Sequence, residues 1–144
     1  MHSLISHLHA SEVRGAYSLS SLEILSIGAI LASKVDPKVA VFGTHDAALW
    51  VQANSHGTTV FIEHDKHNAL SSVKNVFSKL QAGTVTLAGV EYNTSVSEAD
   101  DFFDDGPWSL ELPAEVADLC YDVYILDGPP GHTRDDPGTF FHRK

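Results

Sequence analysis

What this chain has little of narrows the field before any motif is read. It carries a single cysteine, Cys120, so no internal disulfide can form and a thiolate-based structural zinc site is excluded. Cys120 itself is expected to be a small buried side chain beside a core strand. Basic residues are scarce: nine Lys and Arg stand against nineteen Asp and Glu, a formal net charge of −10 with no basic stripe. Such a surface repels a nucleic-acid backbone, and a polyanion-binding module is disfavoured. Long apolar runs are missing too. The longest apolar-leaning stretch, residues 22–35, is interrupted by Glu23, Ser26, Gly28, Ser33 and Lys34 and is shorter than a bilayer span requires. The opening residues MHSLISHLHASEVRG lack a basic region followed by an apolar core and cleavage site, so neither signal peptide nor anchor is expected.

What is present fits one globular domain: 144 residues, 43% of them hydrophobic, enough to bury a real core. Residues 1–17, with His2, His7 and His9 in no regular period, read as a loose leader, and residues 18–144 as the domain. Ser20 and Glu23 have the spacing of a capping box, and Leu22, Leu25, Ile27, Ile30 and Leu31 follow as a broad apolar helix face, stopped at Asp36-Pro37. Residues 39–42 are a run of β-formers too short for a helix, followed by Gly43 where a strand turns. Asp46 then stands as N-cap of a short helix containing Leu49, Trp50 and Val51, ended by residues 54–57.

A second strand over residues 59–62 leads to Glu63. Asp65 can cap a helix with Leu70, Val73, Phe77 and Leu80 on one face. Residues 84–92 hold a third strand with Gly89 inside it, either bulged or in two pieces. Ala99, Phe102 and Phe103 fall at helical spacing in an acidic segment, and residues 112–118 form a further helical turn. YDVYIL, residues 121–126, reads as a buried fourth strand ending at Asp127. The alternation predicts an α/β, Rossmann-like, doubly wound and mainly parallel sheet. Right-handed crossovers then bring Glu63 and Asp127 to one edge of it.

That edge holds the candidate chemistry. Gly43 lets backbone N–H groups approach a ligand, and with no second glycine in a G-x-G-x-x-G pattern a small nucleoside fits better than a dinucleotide. Glu63 falls 20 residues after Gly43, the separation at which a βαβ nucleotide site places its ribose-binding carboxylate. Its carboxylate could take both ribose hydroxyls; the alternative is a solvated strand-end acid. Asp127, before the Gly/Pro-rich loop that contains His132, is either a cleft carboxylate or an Asx-turn residue that shapes the loop. His45-Asp46 and His64-Asp65 offer one metal ligand each at best, because adjacent side chains diverge. Asp127 with His132 is the better pair.

The segments SLSSLEIL, VAVFGTHDAALW, GTTVFIEHD, VEYNTSVSEAD and LPAEVADLCYDVYILDGPPG occur in this order over about residues 18–140. In sequence and spacing they resemble the plant family of glucuronoxylan methyltransferases and irregular-xylem proteins. The resemblance implies a class I methyltransferase fold, S-adenosylmethionine as cofactor, 4-O-methylation of glucuronic acid side chains on xylan, and a Golgi location. Carried over by position, it sets Gly43, His45 and Asp46 against the methionine and ribose part of the cofactor, Glu63 on the ribose, and Asp127 beside the methyl group. The turn here is one residue shorter than the family's and lacks its second glycine and its serine.

For methyl transfer to a sugar hydroxyl, Asp127 or His132 is the expected proton acceptor, and the runner-up mechanism uses a divalent metal held by the same two residues. Arg134 or Arg143 would receive an acidic sugar. The competing class is a non-catalytic relative that contributes to xylan deposition. Because the family's sheet continues past its fourth strand whereas this chain ends at Lys144, missing C-terminal strands are expected. Residues 121–126 would then be an open edge prone to self-association, with methyl transfer weak or absent.

Overall fold

The computed structural model describes residues 19–65, 67, 69, 83–92, 95–98, 111–128 and 133–135. The expected leader, the apolar positions Leu70, Val73, Phe77 and Leu80, the segment with Ala99, Phe102 and Phe103, and His132 and Arg143 lie outside them. Helix α1 (Ser21–Ala32) starts at the capping box the sequence announces: the Glu23 amide donates to Ser20 Oγ at 3.3 Å and the Ser20 amide to Glu23 Oε2 at 2.7 Å. After it, Asp36 takes a left-handed φ of 50°, a conformation Asp tolerates better than most residues, and turns the chain into strand β1 (Lys38–Phe42). Helix α2 (Ala47–Ala53) and strand β2 (Thr58–Glu63) complete a βαβ unit.

Strand β3 (Thr84–Gly89), a 3₁₀ turn (Val96–Glu98), helix α3 (Ala114–Ala117) and strand β4 (Val123–Leu126) follow. β3 is one unbulged strand that pairs in register with β2 as far as Glu63↔Gly89. The sheet order is β3-β2-β1-β4 and every pairing is parallel, so the fold is α/β and consistent with part of a Rossmann-like methyltransferase sheet. Asp65 opens a further helical turn, accepting at Oδ1 from the His67 amide at 2.9 Å.

The pleat sorts side chains to two faces. Val39, Val41, Phe61 and Ile125 face α1 and α2, where they meet Leu31 and Trp50. Ala40, Phe42, Val60, Ile62 and Ala88 face the other way, towards Val116 and the segment around it. Asn54 stitches the near ends together. Its Nδ2 donates to Pro37 O at 3.2 Å, Thr58 O at 3.0 Å and Thr59 Oγ1 at 3.0 Å, tying the end of α2 to the starts of β1 and β2. Asp122 does the same for β4. It accepts from the Lys38 amide at 3.0 Å and from Lys34 Nζ at 2.9 Å, and those two donors, the amide first, hold its carboxyl below the usual carboxylate range.

Four expectations are corrected. On α1 only Ile24 and Leu31 are buried, with Ile27 packed partly against them; Leu22 (74% exposed), Leu25 and Ile30 point outward, because the sheet covers one side of the helix only. The fourth strand is residues 123–126, not 121–126, and Ile125 alone in it is buried. The open edge expected of it is present: β4 lies at the sheet's edge among the described residues, leaving Tyr124 and Leu126 62% and 58% exposed. Cys120 is exposed, since it sits in the turn before that strand rather than against the core. Asp46 occupies the N-cap position without a side-chain cap bond: at φ −105° and ψ 29° it has left the extended conformation from which a capping side chain reaches back. No helix among the described residues is long and apolar enough to cross a membrane.

Candidate functional site

Parallel pairing sets the geometry of the site. Because Phe42 is level with both Ile62 and Leu126, the next residues of the three strands, Gly43, Glu63 and Asp127, arrive together at the carboxyl ends. This is where open α/β sheets bind ligands. Gly43 lies at the centre with φ 98°, and its amide extends the ladder to Ile62 O at 2.9 Å. On the other side the Asp127 amide donates to Phe42 O at 2.8 Å. A Cβ on Gly43 would stand 2.6 Å from the Asp127 carbonyl oxygen. The glycine is therefore required by the approach of β1 to β4, whatever ligand the turn meets.

Glu63 is 7% exposed, so it is neither a solvated strand-end acid nor a side chain reaching freely into a cleft. Its carboxylate is ringed by donors. Oε2 accepts from Thr44 Oγ1 at 2.9 Å; Oε1 accepts from the His64 amide at 2.9 Å and the Asp65 amide at 3.1 Å. His64 Nδ1 approaches the same Oε1 to 3.0 Å, a charge contact beside the two amide hydrogen bonds. The His64 ring lies against Tyr92, centroids 5.0 Å apart. The same histidine lines an open cleft of about 500 Å³ with Asp65, His67 and Glu91.

The Tyr92 hydroxyl is buried with no hydrogen-bond partner among the described residues. Burial, and then the Glu63 charge, push its phenol well above the ordinary tyrosine range. A buried hydroxyl without a partner keeps its desolvation cost uncompensated. Tyr92→Phe is accordingly expected to leave stability unchanged or to raise it by up to about 1 kcal/mol, read as a melting temperature higher by roughly 3 °C. A loss of that size instead would mean that the hydroxyl is bonded.

Asp127 is half-buried, and its Oδ2 accepts from the indole Nε1 of Trp50 at 3.0 Å. Trp50, 1% exposed on α2, thus reaches from the core to the sheet's carboxyl edge. His45 is exposed on the turn and Asp46 is buried behind it. Arg134 is exposed, its carbonyl accepting the Ser97 amide at 2.8 Å. Among the described residues no three His, Cys, Asp or Glu side chains gather as a metal site. Sequence reasoning named Gly43, Glu63 and Asp127, which stand side by side, but gave no site role to Thr44, Trp50 or Tyr92. It weighed His64 only as a metal ligand. Thr44 lies inside the glycine turn and could have been suspected from its hydroxyl. Trp50 and Asp127 are 77 positions apart and share no local signal.

Several known proteins resemble this chain in sequence. The family model described as IRX15/IRX15L/GXM matches residues 22–107. Protein IRX15-LIKE of Arabidopsis thaliana is 30% identical over 152 aligned residues, covering 90% of this chain and 46% of its own length. Glucuronoxylan 4-O-methyltransferase 1 of the same plant is 27% identical over 150, covering 92% and 50%, and its arabinogalactan O-methyltransferase 2 is 27% identical over 141, covering 82% and 46%. The chain spans about half the length of these curated relatives. No solved structure matches it. With more than half of its residues inside the family model, and relatives that include both irregular-xylem proteins and glucuronoxylan methyltransferases, this chain belongs to the IRX15/IRX15L/GXM family.

Proposed function

We propose that this chain carries the cofactor half of an S-adenosylmethionine-dependent O-methyltransferase acting on a cell-wall polysaccharide, with the 4-hydroxyl of glucuronic acid side chains on xylan as acceptor and the Golgi as its place of work. The observation that supports it most is the buried Glu63 carboxylate at the end of β2, level with Gly43 and Asp127. The arrangement suits a ribose: Oε1 has two amide donors but Oε2 has only Thr44, so a lone pair on Oε2 remains for a sugar hydroxyl. The cleft that shares His64 with Glu63 is where the base would lie. The cofactor, when bound, supplies an electrophilic methyl group. Asp127, held on its backbone by Phe42 and on its side chain by Trp50, would orient the acceptor and take the hydroxyl proton as the oxygen attacks.

A second reading has its own support. Identity to the irregular-xylem proteins, 30% and 29%, is no lower than to the glucuronoxylan methyltransferases, 27% and 25%. On that reading the chain contributes to xylan without methyl transfer. Calorimetric titration with S-adenosylhomocysteine separates the two. One saturable site per folded chain is the expected result, and a flat titration of protein that still melts cooperatively would leave the non-catalytic reading.

A further inference from the structure

Thr44 was not a candidate at any stage of the sequence reading, yet its Oγ1 lies 2.9 Å from Glu63 Oε2, nearer than the 3.0 Å between His64 Nδ1 and Oε1. The inference follows from counting acceptors. An ionised carboxylate offers about four lone-pair sites, two on each oxygen. On Glu63, the His64 and Asp65 amides fill both sites of Oε1, and the Thr44 hydroxyl takes one on Oε2. One acceptor site is left, on Oε2. A ribose, however, presents two neighbouring hydroxyls, each seeking an acceptor. An acceptor stands beside it in the Thr44 oxygen, which gives its proton to Glu63 and keeps its own lone pairs. Its 2.9 Å separation from Oε2 is close to that between two cis hydroxyl oxygens on one sugar.

Resting on the reading of Glu63 as the ribose anchor, we propose that Thr44 is the second ribose contact: Glu63 Oε2 accepts one ribose hydroxyl and Thr44 Oγ1 accepts the other, polarised by its own bond to the carboxylate. The turn between β1 and α2 then does more than let a ligand approach. It contributes a hydroxyl to binding, and the single-glycine turn is a working variant in which a threonine stands at the position after the glycine. Both side chains are nearly buried, Thr44 at 4% and Glu63 at 7%, so each bond forms away from competing water.

The experiment is calorimetric titration of the wild-type chain, Thr44→Val and Thr44→Ser with S-adenosylhomocysteine and its 2′-deoxy and 3′-deoxy analogues. Thr44→Val keeps the shape and removes the hydroxyl. It should lower affinity for the full ligand roughly threefold to tenfold, the worth of one hydrogen bond. Thr44→Ser should restore most of it. For one of the two deoxy analogues, wild type and Thr44→Val should bind alike, because the hydroxyl that Thr44 receives is already gone. A loss of equal size for all three ligands would reduce Thr44 to a support for Glu63 and overturn the proposal, as would an unchanged affinity; either leaves the Glu63 reading standing. A wild-type chain that binds none of the three removes both. Should Thr44→Val fail to melt cooperatively, Thr44→Ala takes its place in the same comparison.

Discussion

Gly43→Ala is expected to unfold the carboxyl edge of the sheet before it affects any ligand. At φ 98° an alanine is strained by about 1–3 kcal/mol, and its methyl group would also stand 2.6 Å from a backbone oxygen of Asp127 that has no rotamer to move into. Together these should cost at least 3 kcal/mol and lower the melting temperature on the order of 10 °C. The relief available is to pull the end of β4 away from β1, so the Asp127 amide, bonded to Phe42 O, should lose its protection from hydrogen exchange. The amides of β2 and β3 should keep theirs. An alanine variant with the wild-type melting temperature and a protected Asp127 amide would show that the turn accommodates a side chain after all.

The second large effect concerns Glu63. Truncation to alanine removes the acceptor for the Thr44 hydroxyl and two amides, and the charge beside the His64 ring, in a site nearly closed to water. Stability should fall by about 2–4 kcal/mol, because buried donors without acceptors are costly. On the proposed reading, affinity for S-adenosylhomocysteine should fall at least about 100-fold. The two losses are separated by Glu63→Gln, which keeps an oxygen to face the His64 and Asp65 amides and turns its NH₂ towards Thr44. That variant should recover most of the stability and little of the affinity, since its NH₂ cannot accept a ribose hydroxyl. If glutamine binds the ligand as well as glutamate does, the carboxylate is there for the fold and the ribose lies elsewhere.

The sequence made legible what is decided within a few residues. Ser20 and Glu23 announce a helix start because both partners of the capping box lie in one turn. Residues 39–42 and 59–62 announce strands because β-branched and aromatic side chains suit a pleated surface, and their alternation with helical segments gave the parallel sheet. What stayed hidden depends on partners distant along the chain. The character of Glu63 is set by Thr44, 19 positions earlier, and by the two amides that follow it. Burial of Leu22, Leu25 and Ile30 was expected because they are apolar, but apolarity states a preference and does not supply the surface that would cover it. Cys120 was misjudged for the same reason: proximity to a strand is not membership in it. Composition alone makes the β4 run look buried; its open edge was expected only from the resemblance to a family whose sheet continues past this strand, and two of its four side chains do lie in the open.

The strand order also fixes a sequence of events in time. Val39 pairs with Thr59 on one side and Val123 on the other, so the second pairing closes a loop about two doublings longer than the first, an added entropic cost of roughly 1.2 kcal/mol. Asn54 meanwhile joins β1, α2 and β2 through three bonds that all fall within one short stretch of chain. The βαβ unit is thus the natural nucleus, and β4 docks against a surface already built. During synthesis the Gly43 turn and Glu63 emerge and can assemble before Asp127 leaves the ribosome. The half of the site proposed for the cofactor would therefore be born first, and the half proposed for the acceptor would be completed when β4 arrives.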